Sequence, residues 1–492
     1  MAFQRPVADS KTIPLKILVD KQRNKVVFVE TTKDFVDTLF SFLSLPLATI
    51  VGLLETNNND QQQSESTPFL DNIRNLYQSV QNLDSDDVWN NSLCKQILLR
   101  PKNPCESLCL KLFMNIDDTV VLTPKLFVCD SCCKFTTFSN IDCTCGKSPN
   151  KEPRNLDIQN QNSAEDGVIV REKGSMFLIS DDLKIVSSSM LSSLLMLINV
   201  GYSDLTQLEE ITHNIAKHEI INLLKYTLIS NEPLTNTILA SNSKNKDNKP
   251  NHFASAVRAT PFASDITSKI DVKVMQSKTR KDIICAEADG DFVDFIFSFL
   301  TMPLGSIVKR LGVNSFSGCV GNLYESVKSF DPTSVLLNPG LVRQFSCPNH
   351  PLNFPNVLPP PTTYYYGQNQ KRAHYYETKG VISKSHESIL NAKSLISLDP
   401  WPLNMSKEGV VGFVKRDALY GVGDDLKVKK VSANFCFSYL KELNLSLDDL
   451  EVKLISIGEV EALSLLGACV TSNFTLTSGL KDFLNPVNNP VG

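Results

Sequence analysis

Four cysteines in the first half of the chain have the spacing of metal ligands. Cys129-Asp-Ser-Cys132 is followed, ten residues later, by Cys143-Thr-Cys145-Gly. Four thiolates can enclose Zn²⁺ tetrahedrally, and a Cys-x-x-Cys turn aims two sulfurs at one point while backbone amides offset their charge. The second pair is tighter than the usual two-residue spacing, and Cys133 could substitute for a neighbour. A site closed by four sulfurs leaves no position for water, so the chemistry expected of a Zn²⁺ here is structural. It would add folding energy to a loop otherwise short of core residues. The competing reading is a set of reduced cysteines on a hairpin.

Other candidates are thinner. Cys347-Pro-Asn-His350 looks like half a metal site without a second pair. His213 and His218 are read on one helix, where a spacing of five does not bring them to one face. Several acids recur at matching positions, namely Glu30/Glu287, Asp34/Asp291, Asp37/Asp294, Asp181-Asp182/Asp424-Asp425 and Glu219/Glu461. Paired carboxylates could do acid–base work. Structure accounts for most of them: Asp34 as a helix cap, the Asp-Asp pairs in turns, Glu219 towards solvent. No phosphate-binding glycine loop, serine elbow or Cys/His dyad is visible.

The elements that must position these residues occur twice. Lys16–Leu53 matches Lys273–Arg310 without a gap, centred on DFVDTLFSFLSLPLATIV and DFVDFIFSFLTMPLGSIV. The offset of 257 residues far exceeds the roughly 20–50 residues of a solenoid unit, which makes the repeat a duplicated domain. In each copy β-branched runs such as Ile17–Val19 and Val26–Val29 predict a hairpin, followed by a helix, a proline and a second helix. Phe35, Leu39, Phe42 and Leu43, with Phe292, Ile296, Phe299 and Leu300, are the expected core. Later blocks from Gly167 and Gly409 predict two more strands, with turns at Lys173-Gly174 and at the Asp-Asp pairs. A pair of amphipathic helices should follow, with Leu205, Leu208 and Ile211, then Ile220, Leu223 and Leu224. Leu447, Leu450, Leu463, Leu465 and Leu466 answer them, and Asp204 and Ser446 are cap candidates.

The fold expected is α+β, two tandem copies of a strand-hairpin/helix domain with mostly antiparallel sheet and a zinc-ribbon-like loop in copy one. The domains are 14–240, carrying the cysteine cluster, and 269–486, lacking it, joined by a polar linker over 241–268. The insertion NNNDQQQSES and the stretches Lys147–Asp166 and Pro348–Pro361 read as loops. Where the second copy should hold cysteines it has YYYGQNQKRAHYYET, so aromatic side chains are expected to fill that space. Loss of metal should then loosen copy one alone.

Lys and Arg total 49 against 53 Asp and Glu, a balance that does not favour nucleic acid or an anionic membrane. The apolar stretch Val36–Leu54 is interrupted by Asp37 and Pro46, and it reads as two short packed helices rather than a membrane anchor. The N-terminus has neither a signal-peptide h-region nor a transit-peptide composition, so cytoplasm or nucleus is expected and the thirteen cysteines should be mostly reduced.

The combination of DFVDxxFSFLxxPL, Asn-Leu-Tyr-x-Ser-Val, the two cysteine pairs, Ser-Asp-Asp-Leu-Lys and Pro233-Leu-Thr resembles the plant-specific family known as domain of unknown function 674. The resemblance covers nearly the whole chain. It implies a land-plant source and a tandem arrangement, and it implies no activity, since the family is itself uncharacterised. The expected function is a non-enzymatic protein–protein interaction or regulatory module with a structural zinc held by Cys129, Cys132, Cys143 and Cys145. A protein partner, not a membrane or a small-molecule substrate, is expected. The alternatives are a zinc-dependent nucleic-acid-binding protein and an unrecognised enzyme with a carboxylate site.

Overall fold

A computed structural model describes residues 11–57, 67–83, 88–90, 92–117, 126–129, 131–136, 143, 145–147, 149, 152–155, 169–170, 175–202, 205–239, 269–342, 350–352, 354, 356–357, 364–369, 380–383, 385–397, 412–431, 440–441 and 446–485. The linker 241–268, most of the asparagine-rich insertion, the Lys173-Gly174 turn, Asp204 and Cys347 lie outside the described residues.

β1 (Thr12–Asp20) and β2 (Lys25–Thr32) form the antiparallel hairpin that the β-branched runs predict. Asn24 takes the left-handed conformation in its turn, at φ 48°. Alternation along β1 sends Ile13, Leu15, Ile17 and Val19 inward. α1 (Lys33–Ser41), a 3₁₀ turn and α2 (Leu47–Asn57) follow, with Pro46 at the break. Phe35, Leu39, Phe42 and Leu43 are all fully buried, as are Phe292, Ile296, Phe299 and Leu300. Thr32, not Asp34, occupies the N-cap of α1, and Asp34 lies in the first turn, where the helix dipole still favours a carboxylate.

The first half continues with α3 (Pro68–Asn82), α4 (Ser92–Leu99), α5 (Glu106–Cys109), β3 (Phe127–Cys129), β4 (Lys134–Thr136) and β5 (Arg154–Asn155). Then come β6 (Met176–Ser180), β7 (Ile185–Ser187), α6 (Met190–Val200), β8 (Leu208–Ala216), α7 (Lys217–Ile229) and α8 (Pro233–Ile238). The second half opens with β9 (Ile270–Ser277), β10 (Ile283–Ala288), α9 (Gly290–Ser298), α10 (Leu304–Leu311) and α11 (Val320–Phe330). It proceeds through β11 (Leu341–Val342), β12 (Asn356–Val357), β13 (Tyr364–Asn369), β14 (Val381–Ser383) and β15 (Ile389–Ser397). It closes with β16 (Tyr420–Gly423), β17 (Val428–Lys430), β18 (Leu450–Ile457), α12 (Glu459–Thr471) and α13 (Thr475–Leu484).

Two five-stranded antiparallel sheets share one order, β7-β6-β2-β1-β8 and β17-β16-β10-β9-β18. The fold is α+β with mostly antiparallel sheet. A six-stranded mixed sheet, β3-β4-β15-β13-β14-β5, takes strands from both halves.

No helix runs through Leu205, Leu208 and Ile211: Leu205 precedes the edge strand β8, which carries Leu208 and Ile211 and pairs with β1 along its whole length. Leu447 lies in a 3₁₀ turn and Leu450 begins β18. The three-residue spacing of these leucines suits a helix turn, but nine ladder pairs with β1 override it. Ile220, Leu223 and Leu224 on α7, and Leu463, Leu465 and Leu466 on α12, are core helix residues as expected. Ser446 does cap, its hydroxyl accepting from the Asp448 N–H.

The halves exchange helices. On α3, Asn75 Nδ2 donates to the Asp425 carbonyl at 2.9 Å, and Ser79 Oγ accepts from the Val428 N–H at 2.9 Å. On α11, Asn322 Nδ2 donates to the Asp182 carbonyl at 2.8 Å, and Ser326 Oγ accepts from the Ile185 N–H at 3.1 Å. Each Asn-Leu-Tyr-x-Ser-Val helix thus closes the other half's sheet, and one apolar core runs through both. Among the described residues no helix is long and apolar enough to cross a membrane.

Candidate metal centre

The β3–β4 hairpin delivers Cys129 from the end of a strand and Cys132 from the turn behind it. Cys133 follows in the left-handed conformation at φ 53°, which turns the chain back into β4. The second pair sits on its own tight turn: the Gly146 N–H donates to the Cys143 carbonyl at 2.8 Å, the Cys143 N–H donates to the Lys147 carbonyl at 3.1 Å, and Gly146 has φ 78°. A glycine meets that conformation without strain. Lys147 Nζ then donates to Ser131 Oγ at 3.0 Å, tying one turn to the other.

The two turns bring Cys129, Cys132, Cys143 and Cys145 together, with all four sulfurs within 4.8 Å of one another. Cys132 Sγ stands 2.9 Å from Cys143 Sγ, and Cys129 Sγ 3.5 Å from Cys145 Sγ. A tetrahedral Zn²⁺ with bonds of about 2.3 Å holds its sulfurs about 3.8 Å apart, so small adjustments suffice. Burial is the largest single influence on Cys143 and opposes its ionisation, yet the hydrogen bonds from Cys132 and from the backbone and side chain of Cys145 together outweigh it and hold that thiol below its ordinary range. The same contact is the first cause that pushes Cys132 up. The donor set fits a soft divalent ion, and all four positions are filled by the protein. Cys133 is not in the group; it packs instead with Leu126, Val128, Phe135, Ile382 and Leu395. None of the described cysteines is in a disulfide. Burial pushes Cys105 up to about 12 and Cys109 up to about 11, which makes them inert core residues.

What the sequence did not reveal is the support behind the hairpin. β4 runs parallel to β15 of the second half, with Lys134 opposite Ile396, and the Ile396 N–H donates to the Cys133 carbonyl at 3.0 Å. Phe135 meets Tyr364 edge to face at 5.1 Å. The Tyr364–Tyr366 run was the available signal. Its Tyr364 and Tyr366 pack against the cysteine hairpin itself, so a metal there would brace both halves rather than the first alone.

The remaining candidates are engaged elsewhere. His350 is buried, with Nδ1 accepting from the Leu352 N–H and Nε2 on Ser298 Oγ, so both ring nitrogens are taken. His213 is on β8 and His218 on α7, not on one helix. Glu219 reaches back to the Ala216 N–H at 2.9 Å and contacts His213, as Glu461 reaches the Gly458 N–H. Asp181 and Asp424 each take the backbone N–H and the hydroxyl of one threonine, Thr235 and Thr477. Asp37 accepts from the Val170 N–H, and Asp294 from the Phe413 and Val414 N–H groups. Glu30 holds Ser188. These carboxylates anchor loops and helix ends.

The family whose description is "protein of unknown function (DUF674)" matches residues 9–460. The chain belongs to that family. No curated protein and no solved structure matches this DUF674 chain.

Proposed function

We propose that this DUF674 protein is a non-enzymatic protein–protein interaction or regulatory module of two tandem repeats, 14–240 and 269–486. In this reading Cys129, Cys132, Cys143 and Cys145 hold a structural Zn²⁺. The observation that carries it is the closure of the four-sulfur group, which leaves no ligand position for water or substrate. Bound Zn²⁺ would supply a cross-link between the two turns. The chain's own residues then do the rest: β4 passes the order of the hairpin to β15, and Phe135 passes it to Tyr364. The same reading takes a plant source and a cytoplasmic or nuclear location, where thiols stay reduced.

Chelation of the purified full-length protein tests it. The thermal unfolding midpoint should fall by several degrees and recover when Zn²⁺ is restored. A midpoint indifferent to chelation contradicts the structural role. A turnover lost on changing Asp37 or Asp294 to its amide would overturn the non-enzymatic part.

A further inference from the structure

We propose that this chain self-associates through the free edge of β18, two copies pairing antiparallel about a two-fold axis at Val452. The two five-stranded sheets end in four edges. β7 and β17 are three residues each, and each gives a backbone N–H to a helix hydroxyl, Ile185 to Ser326 and Val428 to Ser79. β8 is long, but its sequence LEEITHNIA carries two acids and no lysine or arginine. Reversed about its centre, a second β8 would offer those acids no basic residue to face.

β18 differs. Its register with β9 runs without a shift from Leu450 opposite Ser277 to Ile457 opposite Ile270, and among the described residues it has no strand on its other side. It has no proline, no bulge and no short length to blunt the edge, and its charges, Glu451 and Lys453, are one of each sign. Val452 and Leu454 are 66% and 67% exposed.

Its sequence LEVKLISI answers itself when reversed about Val452. Leu450 then faces Leu454 of the second copy, Glu451 faces Lys453 of the second copy, and Val452 faces its own counterpart. Opposite charges across an antiparallel pair stabilise it and like charges oppose it. Centring one residue either way would set Glu451 or Lys453 against itself, so charge selects the register. Within one chain Glu451 already takes Lys281 at 2.9 Å and lies 3.5 Å from Lys453, so the second copy's lysine extends an existing network. The result is an isologous dimer with six aliphatic side chains in one stripe. It does not depend on the metal.

Sedimentation of the full-length protein over a concentration series should show a monomer–dimer equilibrium. Val452→Cys should oxidise to a covalent dimer, because directly opposed residues lie about 4.5–5.5 Å apart, within reach of a disulfide. Ser456→Cys should not, since its opposite residue is Asp448. Lys453→Glu should weaken the dimer about tenfold, and adding Glu451→Lys should restore it. A wild-type protein that stays monomeric throughout, or equal cross-linking by the two cysteine variants, would overturn the proposal.

Discussion

Pro46 faces Pro303 in an isolated antiparallel bridge. The Leu47 N–H donates to the Met302 carbonyl at 3.1 Å, and the Leu304 N–H donates to the Leu45 carbonyl at 3.0 Å. Every member of this contact has its counterpart 257 residues away, so it reads the same from either half. Proline has no N–H to extend a ladder, and the bridge remains a single contact set in the shared core.

A continuous core should melt as one unit. Phe42→Ala and Phe299→Ala, both fully buried, should each cost about 3–5 kcal/mol, and urea denaturation of the full chain should show one transition. Two separable transitions would contradict the shared core.

The helix exchange predicts effects at a distance in sequence. Ser79→Ala orphans the Val428 N–H and Ser326→Ala the Ile185 N–H. Each should destabilise by about 1–3 kcal/mol, with faster hydrogen exchange at the strand of the opposite half. Exchange confined to the mutated helix would count against it.

Much of the α+β fold was legible because one face of each early element is apolar. The β1–β2 hairpin shows in its β-branched runs, and Phe35, Leu39 and Phe42 show a helical period. β8 was not legible, because Leu208 and Ile211 fit a helix turn as well as a strand, and only the ladder with β1 decides between them. The cysteine cluster was legible in its spacing. Its link to β15 was not, since no local pattern in Ile396 or Tyr364 says which hairpin they meet. The exchange of α3 and α11 was hidden for a similar reason: matching sequence blocks do not say whose sheet each helix closes.

The buried carboxylates set a pH dependence. Burial, outweighing the bonds to Val414 and Phe413 and the facing Arg416, pushes Asp294 up to about 8; burial likewise raises Asp37, Asp181 and Asp424 to about 6. Each folded carboxyl keeps its proton above the unfolded value of about 4, so its contribution falls as pH rises through the folded value. His350, lowered by burial to about 3, acts oppositely below about 6.5. The clean window is therefore about pH 6.5–8, where urea midpoints should fall with pH in the wild type and stay level in Asp294→Asn. Equal slopes in the two proteins would refute the assignment.

Gly412 adds a steric check at the same site. It has φ 115°, and a Cβ there would collide with the Asp294 carboxylate. Gly412→Ala should lower stability by more than 1 kcal/mol or so, as strained and crowded positions do. An unchanged urea midpoint would show that the Asp294 loop can move aside.

The cysteine hairpin should brace both halves. Cys132→Ser should raise hydrogen exchange over β3 and β4 and also over the described strands β13 to β15, because β4 and β15 share a ladder. A change limited to the first half would contradict that coupling.

The zinc content of the full-length protein, purified without added metal, tests the central claim most directly. One equivalent of zinc per chain is expected, lost when Cys129 and Cys145 are both changed to serine. A wild-type protein without stoichiometric zinc, or a double variant that keeps it, would contradict the four-thiolate site.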